Sequence, residues 1–204
     1  MTPSYWQQAT DALSKRDATM AELISRYPDS CMQSRGRPFV TLLRAIVGQQ
    51  ISVKAADAIW ARLNDTTALN PQHVAQIDRD TLRSLGLSRQ KADYMHAVCT
   101  YFLDNDIHDD YFSALSDSEI ISELSAIHGI GRWSAEMFLM FTLLRPNVFP
   151  VADLGLLRAL EKHYHGARLT PAQARDLYQK RFDPWCSVAT WYLWRSLDPV
   201  EIQY

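Results

Sequence analysis

Cysteine is scarce in this chain: three in 204 residues, Cys31, Cys99 and Cys186, set far apart. An odd count at such spacing excludes a disulfide framework with every member paired. The spacing also holds no paired metal-ligand motif, so no metal site is expected. These thiols read as small, mostly buried apolar side chains, and a reducing compartment fits them. Long apolar runs are missing too. The longest, Met137 to Leu144, falls far short of the ~20 residues that span a bilayer, so no membrane association is expected. The opening stretch from Met1 to Met20 mixes Gln, Asp, Lys and Arg and lacks the apolar core of a secretory signal. A soluble intracellular protein is the expectation. Excess positive charge is likewise absent: the formal net charge is -2, which excludes a protein that coats nucleic acid through bulk charge.

What is present is an ordinary globular balance, 47% hydrophobic against 22% charged residues, with length for one domain or two small ones. Helix punctuation recurs along the chain, and no run alternates convincingly as a strand. Thr2-Pro3 reads as a cap with proline at the first helical position, and Asp17 as the cap of a second helix ending before Pro28. Phe39, Leu42, Leu43, Ile46 and Val47 fall on one face of a buried helix. Ser52 caps the next, with Val53, Ala56, Trp60 and Leu63 inward; Asn70-Pro71, Gly86 and Ser88 bound three more elements. Ser116 with Glu119, and Thr170 with Gln173, form capping boxes. Asp153 opens a helix that Gly166 closes, and Pro184 starts a final aromatic one. The expectation is an all-α protein of about ten helices, without repeats or a long linker.

The most informative segment runs from Leu124 to Ala135. It breaks a helix at Gly129-Ile130-Gly131 and at once starts another carrying Trp133, Met137, Met140, Phe141 and Leu144. Two glycines around one apolar residue allow a tight turn at φ values a side chain would forbid. They also bare backbone N–H groups at a helix N-terminus, whose positive dipole end favours a phosphate oxygen. Alone, the same pattern also fits a plain helical corner with a glycine cap.

Three further blocks give that hairpin a context: Ala45-Ile-Val-Gly48-Gln49-Gln50-Ile-Ser52-Val-Lys54, Gly86-Leu-Ser88-Arg89-Gln-Lys91, and Val148-Phe149-Pro150-Val-Ala-Asp153-Leu-Gly155 with its aromatic C-terminal continuation. In this order, from Pro38 to Leu197, the chain resembles the helix-hairpin-helix Gly/Pro/Asp family of DNA glycosylases, and most the branch of DNA-3-methyladenine glycosylase II. The resemblance implies two helical subdomains with the DNA and base cleft between them. One would span residues 36–144 with the hairpin near 124–135; the other would join 1–35 to 145–204.

By this resemblance Asp153 is the catalytic carboxylate. Breaking an N-glycosidic bond builds positive charge on the sugar, which a fixed carboxylate stabilises while orienting water. Asp153 also reads as a simple N-cap, and both roles can coexist. Trp133 and Trp194 match base-pocket positions, where a flipped cationic base would stack on indole, and Met137 reads as a soft pocket wall or as core. Trp185 and Trp191 stand evenly between pocket and core. Gln50 is expected to wedge into the gap left by the flipped base, and Gln49 beside it to contact the orphaned pair or its neighbours, against the plainer reading of a polar loop. Ile127, Gly129, Gly131 and Ser134 are the expected contacts to the DNA backbone; Arg89 and Lys91 are phosphate contacts or solvated charges.

Family members that also nick the strand carry lysine two residues after the second hairpin glycine. Trp133 stands there, so no Schiff base is expected. An iron–sulfur cluster needs four clustered cysteines, and the C-terminal region has Cys186 alone, so no cofactor is expected. The resulting expectation is a monofunctional, monomeric glycosylase that excises alkylated bases such as 3-methyladenine from double-stranded DNA in base excision repair. It would work in the cytoplasm or nucleoid if bacterial. Two alternatives stand: a glycosylase for uracil or deaminated purines, and a non-catalytic hairpin module that binds DNA.

Overall fold

In a computed structural model, residues 2–34 and 36–197 are described, and all the regular structure among them is helical. The chain divides into two compact units, residues 35–138 and a split unit joining 1–34 to 139–203. No helix among the described residues is long and apolar enough to cross a membrane.

The split unit begins with α1 (Trp6–Arg16) and α2 (Ala18–Arg26). Helix α1 starts later than Thr2-Pro3 predicts, because that dipeptide forms a turn in which the Trp6 N–H donates to the Pro3 carbonyl at 3.0 Å. Asp17 caps α2 by accepting from the Met20 N–H at 2.8 Å. Its buried carboxylate also accepts from the Tyr164 hydroxyl at 2.9 Å and the Arg181 guanidinium at 2.5 Å, so the charge is well compensated.

The 35–138 unit holds α3 (Pro38–Gly48), α4 (Val53–Thr66), α5 (Pro71–Ala75), α6 (Arg79–Ser84), α7 (Arg89–Asp104), α8 (Asp117–Ala126) and most of α9 (Arg132–Phe141). Ser52, Asn70, Asp78, Ser88 and Ser116 each accept a hydrogen bond from the amide three residues on. The core stripe of α3, from Phe39 to Val47, is buried. An aromatic chain continues it: Phe39 to Phe102 at 5.3 Å, Phe102 to Phe112 at 6.4 Å and Phe112 to Phe138 at 4.9 Å. On α4 the buried positions include Ile59, while Trp60 is half-buried with the Arg44 guanidinium over its ring.

The division between units falls inside α9, not after Leu144. Leu144 lies outside that helix altogether. Its left-handed φ of +53° turns the chain so that the Arg145 N–H reaches the Leu139 carbonyl at 2.9 Å. The Tyr5 hydroxyl, bonded to the Leu144 carbonyl at 2.6 Å, braces this conformation.

The split unit resumes with α10 (Leu154–Leu160), continued by a π-helical turn, Glu161–His165, that left-handed Gly166 ends. Then follow α11 (Pro171–Ala174), a second π turn, α12 (Lys180–Phe182) and α13 (Cys186–Arg195). Helix α13 starts two residues beyond Pro184. Its Trp191 and Tyr192 pack on Trp6 of α1 at 5.5 and 5.8 Å, at the centre of the unit's core.

Candidate active site

The hairpin is built from α8, a tight turn and α9. Ile127 ends α8, with its N–H on the Leu124 carbonyl at 3.1 Å, and its own carbonyl takes the Ile130 N–H at 3.0 Å. Both isoleucines are buried and anchor the turn. Gly129 adopts φ +96°, and a Cβ there would lie 2.1 Å from the Tyr94 ring, so glycine is needed twice over. Gly131 differs from the expectation. Its φ is not in the left-handed region, and an added Cβ would meet nothing within 4 Å. The fold itself does not require glycine there. What Gly131 leaves is an exposed, uncovered backbone at the start of α9.

The first helical bond of α9 is donated by the Ala135 N–H to the Gly131 carbonyl at 3.1 Å. The amides of Arg132, Trp133 and Ser134 precede it, at the positive end of the helix. Ser134, one of the expected DNA-backbone contacts, is buried. Arg132 pairs at 2.9 Å with the buried carboxylate of Glu136. Trp133 is half-buried on the first turn, and Met137 is buried one turn later. Gln50, in the loop between α3 and α4, is exposed with a left-handed φ of +58°.

In the split unit Asp153 sits at the end of an irregular connection from Arg145 to Ala152. Buried Ser187 of α13 staples this connection: its hydroxyl donates to the Arg145 carbonyl at 2.6 Å and accepts the Val148 N–H at 2.9 Å. The Asp153 N–H bonds the Pro150 carbonyl at 2.9 Å. Asp153 is 7% exposed, and its Oδ1 accepts both the Leu156 N–H and the Trp194 indole N–H at 2.7 Å. Asp153 is therefore an N-cap and an oriented carboxylate at once. Trp194 is buried, with its ring stacked on Phe141 at 6.2 Å and its edge on the carboxylate. A Cβ on Gly155 would come within 3.0 Å of that same carboxylate oxygen and 3.1 Å of the Trp194 ring. The glycine makes room for the pair.

Trp191 belongs to the core between Trp6 and Tyr192, while half-buried Trp185 stacks on Tyr5 at 5.8 Å.

The family model of the HhH-GPD superfamily of base excision DNA repair proteins matches residues 43–184. The chain belongs to this superfamily. DNA-3-methyladenine glycosylase 1 of Schizosaccharomyces pombe is 29% identical over 183 residues, covering 87% of this chain and 80% of that protein. A crystal structure of the DNA-3-methyladenine glycosidase of Bacillus halodurans superposes with TM-score 0.82 at 29% identity, covering 92% of this chain and 88% of that one. The 3-methyladenine DNA glycosylase of S. pombe in complex with abasic DNA gives TM-score 0.81 at 28% identity, covering 93% and 96%.

The superfamily match spans Gln49, Gln50, the hairpin and Asp153, and it stops short of Trp194. Three features of this member escape sequence reasoning. Lys91, on α7, donates to the Val47 carbonyl at the end of α3 at 2.8 Å; burial lowers its ammonium pKa. Tyr94 fills the space that Gly129 leaves. Leu154, next to the buried carboxylate, is 67% exposed. The first two depend on contacts between segments far apart in the chain, for which the sequence carries no spacing signal.

Proposed function

We propose that this superfamily member is a monofunctional DNA glycosylase that hydrolyses the N-glycosidic bond of alkylated purines, 3-methyladenine among them, after flipping the base from the duplex. The carrying observation is Asp153, a buried carboxylate whose Oδ1 is fixed by the Leu156 amide and the Trp194 indole. A cationic base needs no acid to leave: as the sugar C1′–N bond breaks, the bonding pair moves onto the base and neutralises it. The sugar becomes oxocarbenium-like, and the carboxylate stabilises that charge. Water then adds at C1′ and gives up a proton to the Asp153 carboxylate.

In this reading the amides of the Gly131–Ser134 segment hold a backbone phosphate, and Gln50 fills the space of the extruded base. Trp133 supports stacking on the base and supplies no amine, so catalysis proceeds without a covalent enzyme–sugar adduct. One copy of the chain supplies both grip and carboxylate, which favours action as a monomer, and the chemistry calls for no metal or cofactor. Incubation with duplex DNA treated with a methylating agent tests this: free methylated purines should appear, with strands intact until alkali is added. Absence of released base, or efficient borohydride trapping of a protein–DNA adduct, would refute it.

A further inference from the structure

The loop between α3 and α4 presents Gln50, Ile51 and Ser52 to solvent, and Gln50 holds a left-handed conformation. For a residue other than glycine that conformation is strained, so an exposed loop keeps it only when its ends are fixed. Two side chains fix it here. Lys91 holds the Val47 carbonyl at 2.8 Å on the near side of Gly48. Gln49 reaches the other way: its Nε2 donates to the carbonyl of Gly129, 80 residues along the chain, at 3.0 Å. The acceptor is itself immobilised, because the Tyr94 ring occupies the Cβ space of Gly129 and meets the His128 ring edge-on at 4.8 Å. Tyr94 is in turn hydrogen-bonded to Gln90 on α7.

We propose that Gln49 is a positioning residue: its side-chain amide ties the loop bearing Gln50 to the hairpin turn, so that the grip on a backbone phosphate sets where Gln50 enters the duplex. This rests on the assignment of Gln50 as the wedge in the glycosylase reading. It gives one Nε2 N–H of Gln49 a partner within the protein in place of the unpaired base. It also gives the hairpin a second task. Besides holding phosphate, the turn carries the abutment for the wedge.

The test uses the full chain on a duplex with a stable abasic analogue flanked by 2-aminopurine, whose fluorescence rises when a wedge unstacks it. Anisotropy on an undamaged duplex measures the hairpin grip separately. Gln49→Met keeps side-chain length without the N–H. Losing one neutral hydrogen bond should lower the insertion equilibrium about 2- to 12-fold. The loss should be the same for every base opposite the lesion, with undamaged-duplex affinity unchanged. In a Gln50→Ala background the Gln49 substitution should have no further effect, because Gln49 acts through Gln50. Gln49→Asn, one methylene short of the carbonyl, should reproduce the pattern should the methionine variant fail to fold.

A loss that persists without Gln50, or that varies with the opposite base, would show Gln49 touching DNA and overturn the tie. So would wild-type insertion in both variants, or an equal loss of undamaged binding. None of these readouts needs base release. A chain that inserts Gln50 but excises nothing would remove the glycosylase reading and leave the tie standing.

Discussion

The hairpin and the carboxylate use opposite chemistry. In the proposed function the groups assigned to grip DNA in the 35–138 unit are backbone amides beside an exposed glycine, Gly131, where an added Cβ would meet nothing within 4 Å. In the split unit the group proposed to act on the sugar is a side chain, Asp153, buried and accepting from two donors on Oδ1. A backbone grip is sequence-blind and tolerates net negative protein charge, because helix-end amides supply the positive potential locally. A buried carboxylate beside low-dielectric neighbours acts strongly on charge that develops close to it. The contrast teaches where each unit should be sensitive: the hairpin in affinity, the carboxylate in rate.

The largest expected effect on stability comes from Gly129→Ala, since a methyl would sit 2.1 Å from the Tyr94 ring at φ +96°. Overpacking and left-handed strain together should cost about 2–4 kcal/mol, read as a lowered Tm. A stable Gly129→Ala protein would break the distinction between the two hairpin glycines. Next comes Trp194→Phe, which deletes the N–H on Asp153 Oδ1. A hydrogen bond to a charged group contributes about 1.5–3 kcal/mol, so single-turnover base release should fall roughly 10- to 150-fold. Affinity for undamaged duplex should not change. If affinity for lesion DNA fell instead and the rate constant held, Trp194 would be a stacking wall and not a support for the carboxylate. The smallest effect is assigned to Gly131→Asp, which should fold normally because the site is open. Repulsion and lost amide contacts should weaken lesion and undamaged duplexes alike by about tenfold. Selective loss on lesion DNA alone would move Gly131 from the grip to the base pocket.

Much of the fold was legible because its signals are local. Asp17, Ser52, Asn70, Ser88, Ser116 and Thr170 each cap a helix through an amide three residues away, a distance visible in any sequence. The α3 stripe is visible for the same reason, through its helical period. Thr2-Pro3 misleads because proline suits a turn as well as a helix start, and Tyr5 at the cap carries no capping bond.

The candidate site was legible as residue types but not as contacts. Asp153 and Trp194 stand 41 residues apart, and Gln49 and Gly129 stand 80 apart. The superfamily blocks bring each residue to notice without saying that one supports another. Gly155 illustrates the gap: it sits in a recognised block, yet its role, clearance for a tryptophan from α13, exists only in three dimensions. Lys91 is a second case, a lysine that reads as a phosphate contact or a solvated charge and, half-buried, donates to the carbonyl at the end of a neighbouring helix.

The most direct test of the account is Asp153→Asn, measured by single-turnover release of 3-methyladenine alongside Tm and undamaged-duplex affinity. Asparagine caps a helix about as well as aspartate and keeps an oxygen for the Leu156 and Trp194 donors, so Tm and affinity should hold. The negative charge at the sugar is lost, and the rate should drop ~100- to 1,000-fold. Turnover close to wild type in a folded, DNA-binding Asn variant would contradict the account and reduce Asp153 to a helix cap.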